Sequence, residues 1–114
     1  MNDLWRYRVN DSTWTWISGS NTTENMTGIY GEKGVPDIAN VPGARRHAIG
    51  WCDGNTKELW IFGGLTTKSN TIEAYNDLWR FNMNDLTWTW MHGSSKSNHQ
   101  GTFDQKGVPS IDSM

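Results

Sequence analysis

Large apolar residues and polar residues alternate along several short stretches of this chain, which is the pattern of β-strands. In residues 4–9 the apolar residues on one predicted face are Trp5, Tyr7 and Val9. Residues 13–18 alternate in the same way, with Trp14 and Trp16 on one face. Between the two stretches lie Asn, Asp and Ser, which favour tight turns. The pattern therefore predicts an antiparallel β-hairpin.

A second group of predicted strands follows a long segment without any period, residues 19–44. Residues 45–52 predict a strand, and the Asp-Gly-Asn sequence after it predicts a reversal into residues 57–62. The second of these strands is apolar on both faces, so we expect it to be covered by sheet on both sides.

We expect that strand to end in a sharp exit at Gly63 and Gly64, because paired glycines suit positive φ or close backbone approach. A polar loop over residues 65–75 should follow. The pattern of the first hairpin then returns.

The hairpin pattern is in fact written twice. Residues 2–20 and 76–94 are identical at thirteen of nineteen positions, and the sequence Lys-Gly-Val-Pro at residues 33–36 recurs at residues 106–109. Repetition at this spacing indicates a repeat array, in which one unit cannot bury its apolar face alone. The segment over residues 19–44 would be a long connection between repeats.

Composition and charge narrow the class of protein. Eight Trp and twelve Gly among 114 residues favour a β protein, and a net charge of −2 gives no reason to expect a nucleic-acid partner. No apolar run approaches the ~20 residues that span a bilayer, so we expect no membrane span. The single cysteine, Cys52, cannot form an internal disulfide. Because the first copy begins abruptly at Asn2, we interpret the chain as a piece of a larger array.

Four motifs in order carry a family resemblance: Pro42-Gly43-Ala44-Arg45, residues 59–64, residues 76–81 and residues 87–90. Together they resemble a long kelch repeat of the type rich in NDLW and WTW. The resemblance implies a β-propeller of four-stranded antiparallel blades. Many kelch repeats carry a histidine three positions after this arginine, where this chain has Ala48, so His47 receives no family role.

The resemblance implies about one and a half blades. Residues 1–44 would be the outer half of a first blade and its long inter-blade loop, residues 45–92 a complete blade, and residues 93–114 the start of the next loop. Propellers close with about four to eight blades. Burying a large aromatic side chain contributes about 1.5–3 kcal/mol, so we expect the chain to need further blades from the same polypeptide or self-association.

The clearest expected roles are structural. They fall to the glycine pair and to five tryptophans that would pack between blades: Trp14, Trp16, Trp79, Trp88 and Trp90. Sugar stacking is an alternative for all of these tryptophans except Trp79. Asp53, Asp77 and Asp85 are expected to make turns.

No residue set predicts catalysis, a cofactor or a metal. His47 and Cys52 stand five apart on one predicted strand, so their side chains should point to opposite faces and share no ion. The sequence around Gly63 to Ser69 superficially resembles a phosphate-binding loop, but it lacks the glycine before its lysine and the helix after it.

The leading functional hypothesis is a non-catalytic protein-interaction or scaffold module, by analogy at the level of the fold. The loops to test are residues 21–40 and 66–75, and the candidate contact residues within them are Asn21, Tyr30, Lys33, Lys68 and Asn70. One alternative is an enzyme, since some kelch-type propellers are galactose-oxidase-like copper enzymes or sialic-acid mutarotases. Another is a carbohydrate-binding propeller.

Overall fold

The computed structural model describes residues 1–22 and 27–113. Its strands are β1 (Leu4–Arg8), β2 (Thr13–Ser18), β3 (Ile49–Asp53), β4 (Glu58–Lys68), β5 (Thr71–Asn82) and β6 (Thr87–His92). β1 pairs with β2, and the other four form an antiparallel sheet in the order β3-β4-β5-β6. The described residues contain no helix, so the predicted all-β class is confirmed. Nothing among them could therefore cross a membrane as a helix.

The two copies of the repeated sequence form hairpins with matching registers. We call β1 and β2 hairpin 1, and the paired parts of β5 and β6 hairpin 2. The aromatic pairs are Trp5 with Trp16 and Tyr7 with Trp14 in hairpin 1, and Trp79 with Trp90 and Phe81 with Trp88 in hairpin 2. Each turn is closed by an aspartate, Asp11 or Asp85, whose carboxylate accepts hydrogen bonds from the threonine two positions later. The turn-making role expected of Asp85 is confirmed.

The strand predicted over residues 45–52 is wrong at its start, because β3 begins at Ile49. His47 has a φ of 57°, a left-handed conformation that interrupts extended backbone. Arg46 and Leu65 nevertheless exchange two backbone hydrogen bonds, of 2.9 and 2.8 Å. The chain is therefore held beside β4 before β3 begins.

The prediction that Gly63 and Gly64 mark a strand exit is also wrong. Both lie inside β4, which continues to Lys68, at a bulge in its pairing with β5. Their φ values are 63° and 104°, and a Cβ added to Gly64 would lie 3.0 Å from the Arg46 carbonyl oxygen. The glycines thus allow a bulge and a close backbone approach within the sheet, instead of ending the strand.

The polar loop predicted over residues 65–75 is wrong for the same reason. Beyond the bulge, β4 and β5 stay paired as far as Lys68 and Thr71, which lie opposite each other. Only Ser69 and Asn70 form the turn, with φ values of 47° and 63°. The polar composition of this stretch reflects a hairpin that extends past the core and is largely exposed.

The core lies between hairpin 1 and one face of the four-stranded sheet. Its buried aromatic residues are Trp79, Phe81 and Trp88. Residues packed against them include Leu4 and Ile17 of hairpin 1. Because these two come from the face of hairpin 1 opposite its tryptophans, the hairpins stack with the aromatic face of the second against the aliphatic face of the first.

The other face of the four-stranded sheet is open in the described chain. Trp51 and Trp60 stack there with ring centroids 6.1 Å apart and planes 6° from parallel, and Trp51 and Ile49 are exposed. The expectation that residues 57–62 are covered on both faces is therefore wrong within this chain.

Candidate functional site at the junction between the hairpins

A buried carboxylate, Asp77, lies at the centre of this junction. Arg45 Nη1 donates to its Oδ1 at 2.6 Å and Arg45 Nη2 to its Oδ2 at 2.8 Å. The Tyr30 hydroxyl and Trp79 Nε1 also donate to Oδ2, at 2.6 and 2.7 Å. The side chain of Asp77 is 0% exposed and that of Arg45 is 7% exposed. Asp77 lies within β5, so the turn-making role expected for it is wrong.

The Arg45 guanidinium connects three parts of the chain. Nε donates to the Gly43 carbonyl at 3.1 Å and Nη1 to the Gly63 carbonyl at 2.8 Å. The guanidinium carbon also lies 4.4 Å from the centroid of the Tyr75 ring. The bulge at Gly63 thus presents a carbonyl to the arginine that neutralises Asp77.

The protonation states of this cluster are fixed by its surroundings. Burial by itself would lower the pKa of Arg45, but the hydrogen bonds and charge of Asp77 outweigh it and raise that pKa. For Tyr30, burial, the hydrogen bond to Asp77 and the charge of Asp77 all raise the pKa far above its ordinary value of 10.0. At neutral pH Arg45 is therefore charged and Tyr30 keeps its proton. These properties suit a structural cluster better than a proton-transfer site.

The segment after hairpin 1 covers the outer edge of the sheet along β6. Gly34 N donates to the Trp90 carbonyl at 2.8 Å, and Asp37 N donates to the Trp88 carbonyl at 3.3 Å. Asn40 Nδ2 reaches the same Trp88 carbonyl at 3.1 Å. Backbone groups of an edge strand that would otherwise be unpaired are therefore satisfied within the chain.

Two predicted contact residues, Tyr30 and Lys33, lie in this segment and make internal contacts. The Tyr30 ring centroid is 4.8 Å from that of Trp79 and 5.2 Å from that of Trp90. Lys33 Nζ lies 4.5 Å above the Trp90 ring. Tyr30 is thus engaged in packing, whereas Lys33 remains exposed on its outer side.

A cavity of about 560 Å³ lies beside Lys33 and is also lined by Trp90, His92, His99 and Asp112. His92 Nδ1 accepts a hydrogen bond from Gly93 N at 2.9 Å, so the hydrogen lies on Nε2, which donates to the Ile111 carbonyl at 2.8 Å. A cation, imidazoles and an aromatic ring surround the cavity, and such groups suit a polar ligand.

Two more predicted contact residues, Lys68 and Asn70, lie at the exposed turn between β4 and β5. Lys68 Nζ donates to Ser97 Oγ at 3.1 Å and lies 3.6 Å from the Glu73 carboxylate. Lys33, by contrast, lies over Trp90 of β6, and β6 ends opposite Leu78 of β5, seven residues from the strand end at Thr71. Lys68 and Asn70 therefore share one turn, whereas Lys33 lies apart from them on the loop over β6.

The fifth predicted contact residue, Asn21, is exposed. It begins the predicted binding stretch over residues 21–40, of which residues 23–26 lie outside the described part of the chain.

The predicted packing tryptophans divide between the two hairpins. Trp88 is 5% exposed, whereas its equivalent Trp14 is 65% exposed. Trp16 is exposed as well, and its counterpart Trp90 is half-buried. Within the described chain, only the tryptophans of hairpin 2 have an opposing layer.

Over residues 1–22 and 27–113, no three His, Cys, Asp or Glu side chains are grouped so that they could hold a metal ion. Cys52 lies exposed on β3, and His47 lies outside the strands.

The sequence reasoning missed the pairing of Arg45 with Asp77. The alternation of side chains along a strand could have found it, because Asp77 shares a face with Trp79 and Phe81. A carboxylate on a core face requires a buried donor or cation nearby, and Arg45 belongs to the first motif of the same repeat.

Comparison with known proteins found no relative of this chain. No protein-family model matches the chain, and no match was found among curated proteins or solved structures. The function must therefore be inferred from the geometry.

Proposed function

We propose that this chain is part of a kelch-type β-propeller and serves as a protein-interaction scaffold without catalysis. The consecutive order of β3 to β6 in one antiparallel sheet supports the blade interpretation. The position of hairpin 1 supports it too, because it packs on this sheet as the outer half of a neighbouring blade would.

A buried amide gives further support for a continuing array. Asn2 Nδ2 donates to the Pro42 carbonyl at 3.1 Å. The equivalent Nδ2 of Asn76 is buried and has no hydrogen-bond partner within residues 1–22 and 27–113. Buried polar groups are normally paired, and a further repeat would supply the acceptor.

The observation that carries the binding role is the division of polar groups between the interior and one end of the sheet. The interior cluster of Arg45, Asp77 and Tyr30 is satisfied by its own members. Exposed Lys68 and Asn70 lie at the turn between β4 and β5, at one end of the sheet, and exposed Lys33 lies on the loop over β6. Exposed loop residues on a rigid scaffold are where binding residues most often occur.

Affinity capture with matched charge reversals tests this proposal. Lys68→Glu changes the turn between β4 and β5, and Lys33→Glu changes the exposed loop over β6. Lys57→Glu makes the same charge change in the turn between β3 and β4, at the opposite end of the sheet, and serves as the control. We expect at least one protein to be captured equally by the wild type and the control and about tenfold less by the Lys68 variant, a change of about 1.4 kcal/mol in binding.

Direct binding must then be remeasured with the purified partner, and circular dichroism must show that each variant is folded. Equal capture by all the variants would contradict the proposed surface.

A further inference from the structure

The chain contains one complete interface between its repeats. Hairpin 1 places Leu4 and Ile17 against the aromatic core of hairpin 2. The segment over residues 30–40 then covers the edge of hairpin 2, with the Tyr30 ring lying against two of its tryptophans. We call this packing of hairpin 1 and residues 30–40 on hairpin 2 the repeat interface.

The chain also carries one half of a second such interface, in residues 103–111. These residues match residues 30–38 at five of nine positions, with Phe103 in the place of Tyr30. The turns have the same geometry: Gly34 and Gly107 have φ values of 81° and 82°. In each turn the following valine donates a backbone hydrogen bond of 3.1 Å to the residue three positions earlier. Phe103, however, is 95% exposed.

The other half is the aromatic face of hairpin 1. Trp5 Nε1 donates to Asp3 at 2.7 Å, as Trp79 Nε1 does to Asp77. The centroids of Tyr7 and Trp14 are 4.9 Å apart, against 4.8 Å for the equivalent pair in hairpin 2. This face is therefore already formed in the shape that the repeat interface requires, and it is exposed.

We propose that two copies of this chain associate. The aromatic face of hairpin 1 in one copy contacts hairpin 2 and residues 103–111 of the other copy, as hairpin 2 contacts hairpin 1 and residues 30–40 in the repeat interface. Phe103 of one copy packs between Trp5 and Trp16 of the next. Lys106 lies over Trp16 as Lys33 lies over Trp90, and Gly107 N donates to the Trp16 carbonyl.

The face of hairpin 2 on the open side of the four-stranded sheet supplies the aliphatic layer of this contact. Leu78 and Met91 occupy there the positions that Leu4 and Ile17 hold in hairpin 1. The contact joins two different surfaces, so copies associate head to tail and form either a closed ring or a growing chain.

A second copy is the favoured occupant because each half matches a surface that already binds the other within the chain. The contact is weaker than the internal one. Phe103 has no hydroxyl to donate to Asp3. We expect dissociation constants between about 10 μM and 1 mM. This inference does not depend on the proposed partner binding, which involves Lys68 at the end of the sheet.

Sedimentation velocity of the full chain, from about 10 μM to about 1 mM, tests the proposal. The weight-average sedimentation coefficient should rise with concentration. Phe103→Ala and Trp16→Ala should each weaken association by about tenfold or more. Ile111→Ala is the matched control, because Ile111 is an exposed apolar residue of the same segment, and its counterpart Ile38 stays exposed in the repeat interface. This control should behave as the wild type.

Mixing the two defective variants gives the sharpest result. Phe103→Ala keeps an intact hairpin 1, and Trp16→Ala keeps an intact 103–111 segment. An equimolar mixture should therefore form a one-to-one heterodimer that cannot extend further. Circular dichroism checks each fold, and Trp14→Ala replaces Trp16→Ala if the latter does not fold.

Three results would overturn the proposal. One is a sedimentation coefficient that stays constant over the whole concentration range, which is also the expected result if only further repeats of the same polypeptide cover hairpin 1. Another is association that Phe103→Ala leaves unchanged, as a symmetric contact between two hairpin 1 faces would give. The third is a mixture that associates no better than its separate components.

Discussion

Hairpins 1 and 2 have nearly the same sequence and local geometry but very different surroundings. Both have the same aromatic pairs, the same aspartate-closed turn and the same indole-to-aspartate hydrogen bond. Yet Trp79 is 0% exposed and its equivalent Trp5 is 48% exposed. Local geometry in these hairpins therefore follows from their own residues, whereas burial follows from the layers that neighbouring segments provide.

The aspartates at the start of the two hairpins show the same division. Asp3 and Asp77 each accept a hydrogen bond from the indole two positions later. Asp77 accepts further hydrogen bonds from both Nη atoms of Arg45 and from the hydroxyl of Tyr30. Identical side chains thus have a modest local role in one hairpin and a central role in the other.

Replacing the equivalent tryptophans should give the largest difference between the hairpins. Trp79→Ala removes a fully buried ring and should lower the free energy of unfolding by about 3–5 kcal/mol. Trp5→Ala removes a half-exposed ring and should cost about 1 kcal/mol or less. Urea unfolding of both variants, followed by circular dichroism at low protein concentration, measures the two losses. Similar losses would mean that hairpin 1 is covered in solution by a layer equivalent to the one over hairpin 2.

Replacing the equivalent aspartates should give a smaller but clear difference. Asp77→Asn leaves Arg45 buried without a counter-charge and should cost about 3 kcal/mol. Asp3→Asn should cost less than about 1 kcal/mol, because no cation is paired with Asp3 in the described chain.

A double variant separates charge from packing in this second comparison. Adding Arg45→Met to Asp77→Asn removes the unpaired cation and should restore part of the lost stability. Chemical unfolding of the single and double variants gives the coupling between the two residues. A double variant no more stable than Asp77→Asn would show that the cluster acts through shape and not through charge.

The elements predictable from sequence were those with strong local signals. Alternating tryptophans and an aspartate before each Thr-Trp-Thr-Trp identified both hairpins, because strand periodicity and turn hydrogen bonds involve only residues close in sequence. The bulge at Gly63 and Gly64 was misinterpreted, since a glycine pair suits both a strand exit and a bulge. Two contacts distinguish the bulge from a strand exit: the Arg46 carbonyl lies close to Gly64, and Arg45 donates a hydrogen bond to the Gly63 carbonyl.

The candidate site was less predictable because it depends on contacts between distant residues. Tyr30, Arg45 and Asp77 meet only after the long loop has folded across β6. The predicted contact residue Tyr30 looked like an available loop residue in sequence, yet its ring and hydroxyl are both engaged inside the molecule. Lys68 and Asn70 are exposed as predicted, but they lie at the tip of a hairpin, Lys68 at the end of β4 and Asn70 in the turn, instead of in a loop.

The smallest expected effect comes from a substitution at Tyr30 that makes the first loop resemble residues 103–111. Tyr30→Phe introduces the residue found at position 103 and removes one hydrogen bond to a charged group, at a cost of about 1.5–3 kcal/mol near neutral pH. The substitution should also reduce the loss of folding stability at alkaline pH. The unfolded chain releases the tyrosine proton near its ordinary pKa of 10.0, whereas the raised pKa keeps that proton in the folded state.

Above about pH 10 the unfolded state therefore binds fewer protons than the folded state, and stability falls as pH rises, by up to about 1.4 kcal/mol per pH unit from this group. Urea unfolding of wild type and Tyr30→Phe between about pH 9 and pH 11.5 measures the difference, since the other titrating groups are common to both. The gap between the two proteins should narrow with rising pH. A gap that stays constant would mean that Tyr30 ionises as easily in the folded chain as in the unfolded one, and that its hydroxyl is not held by Asp77.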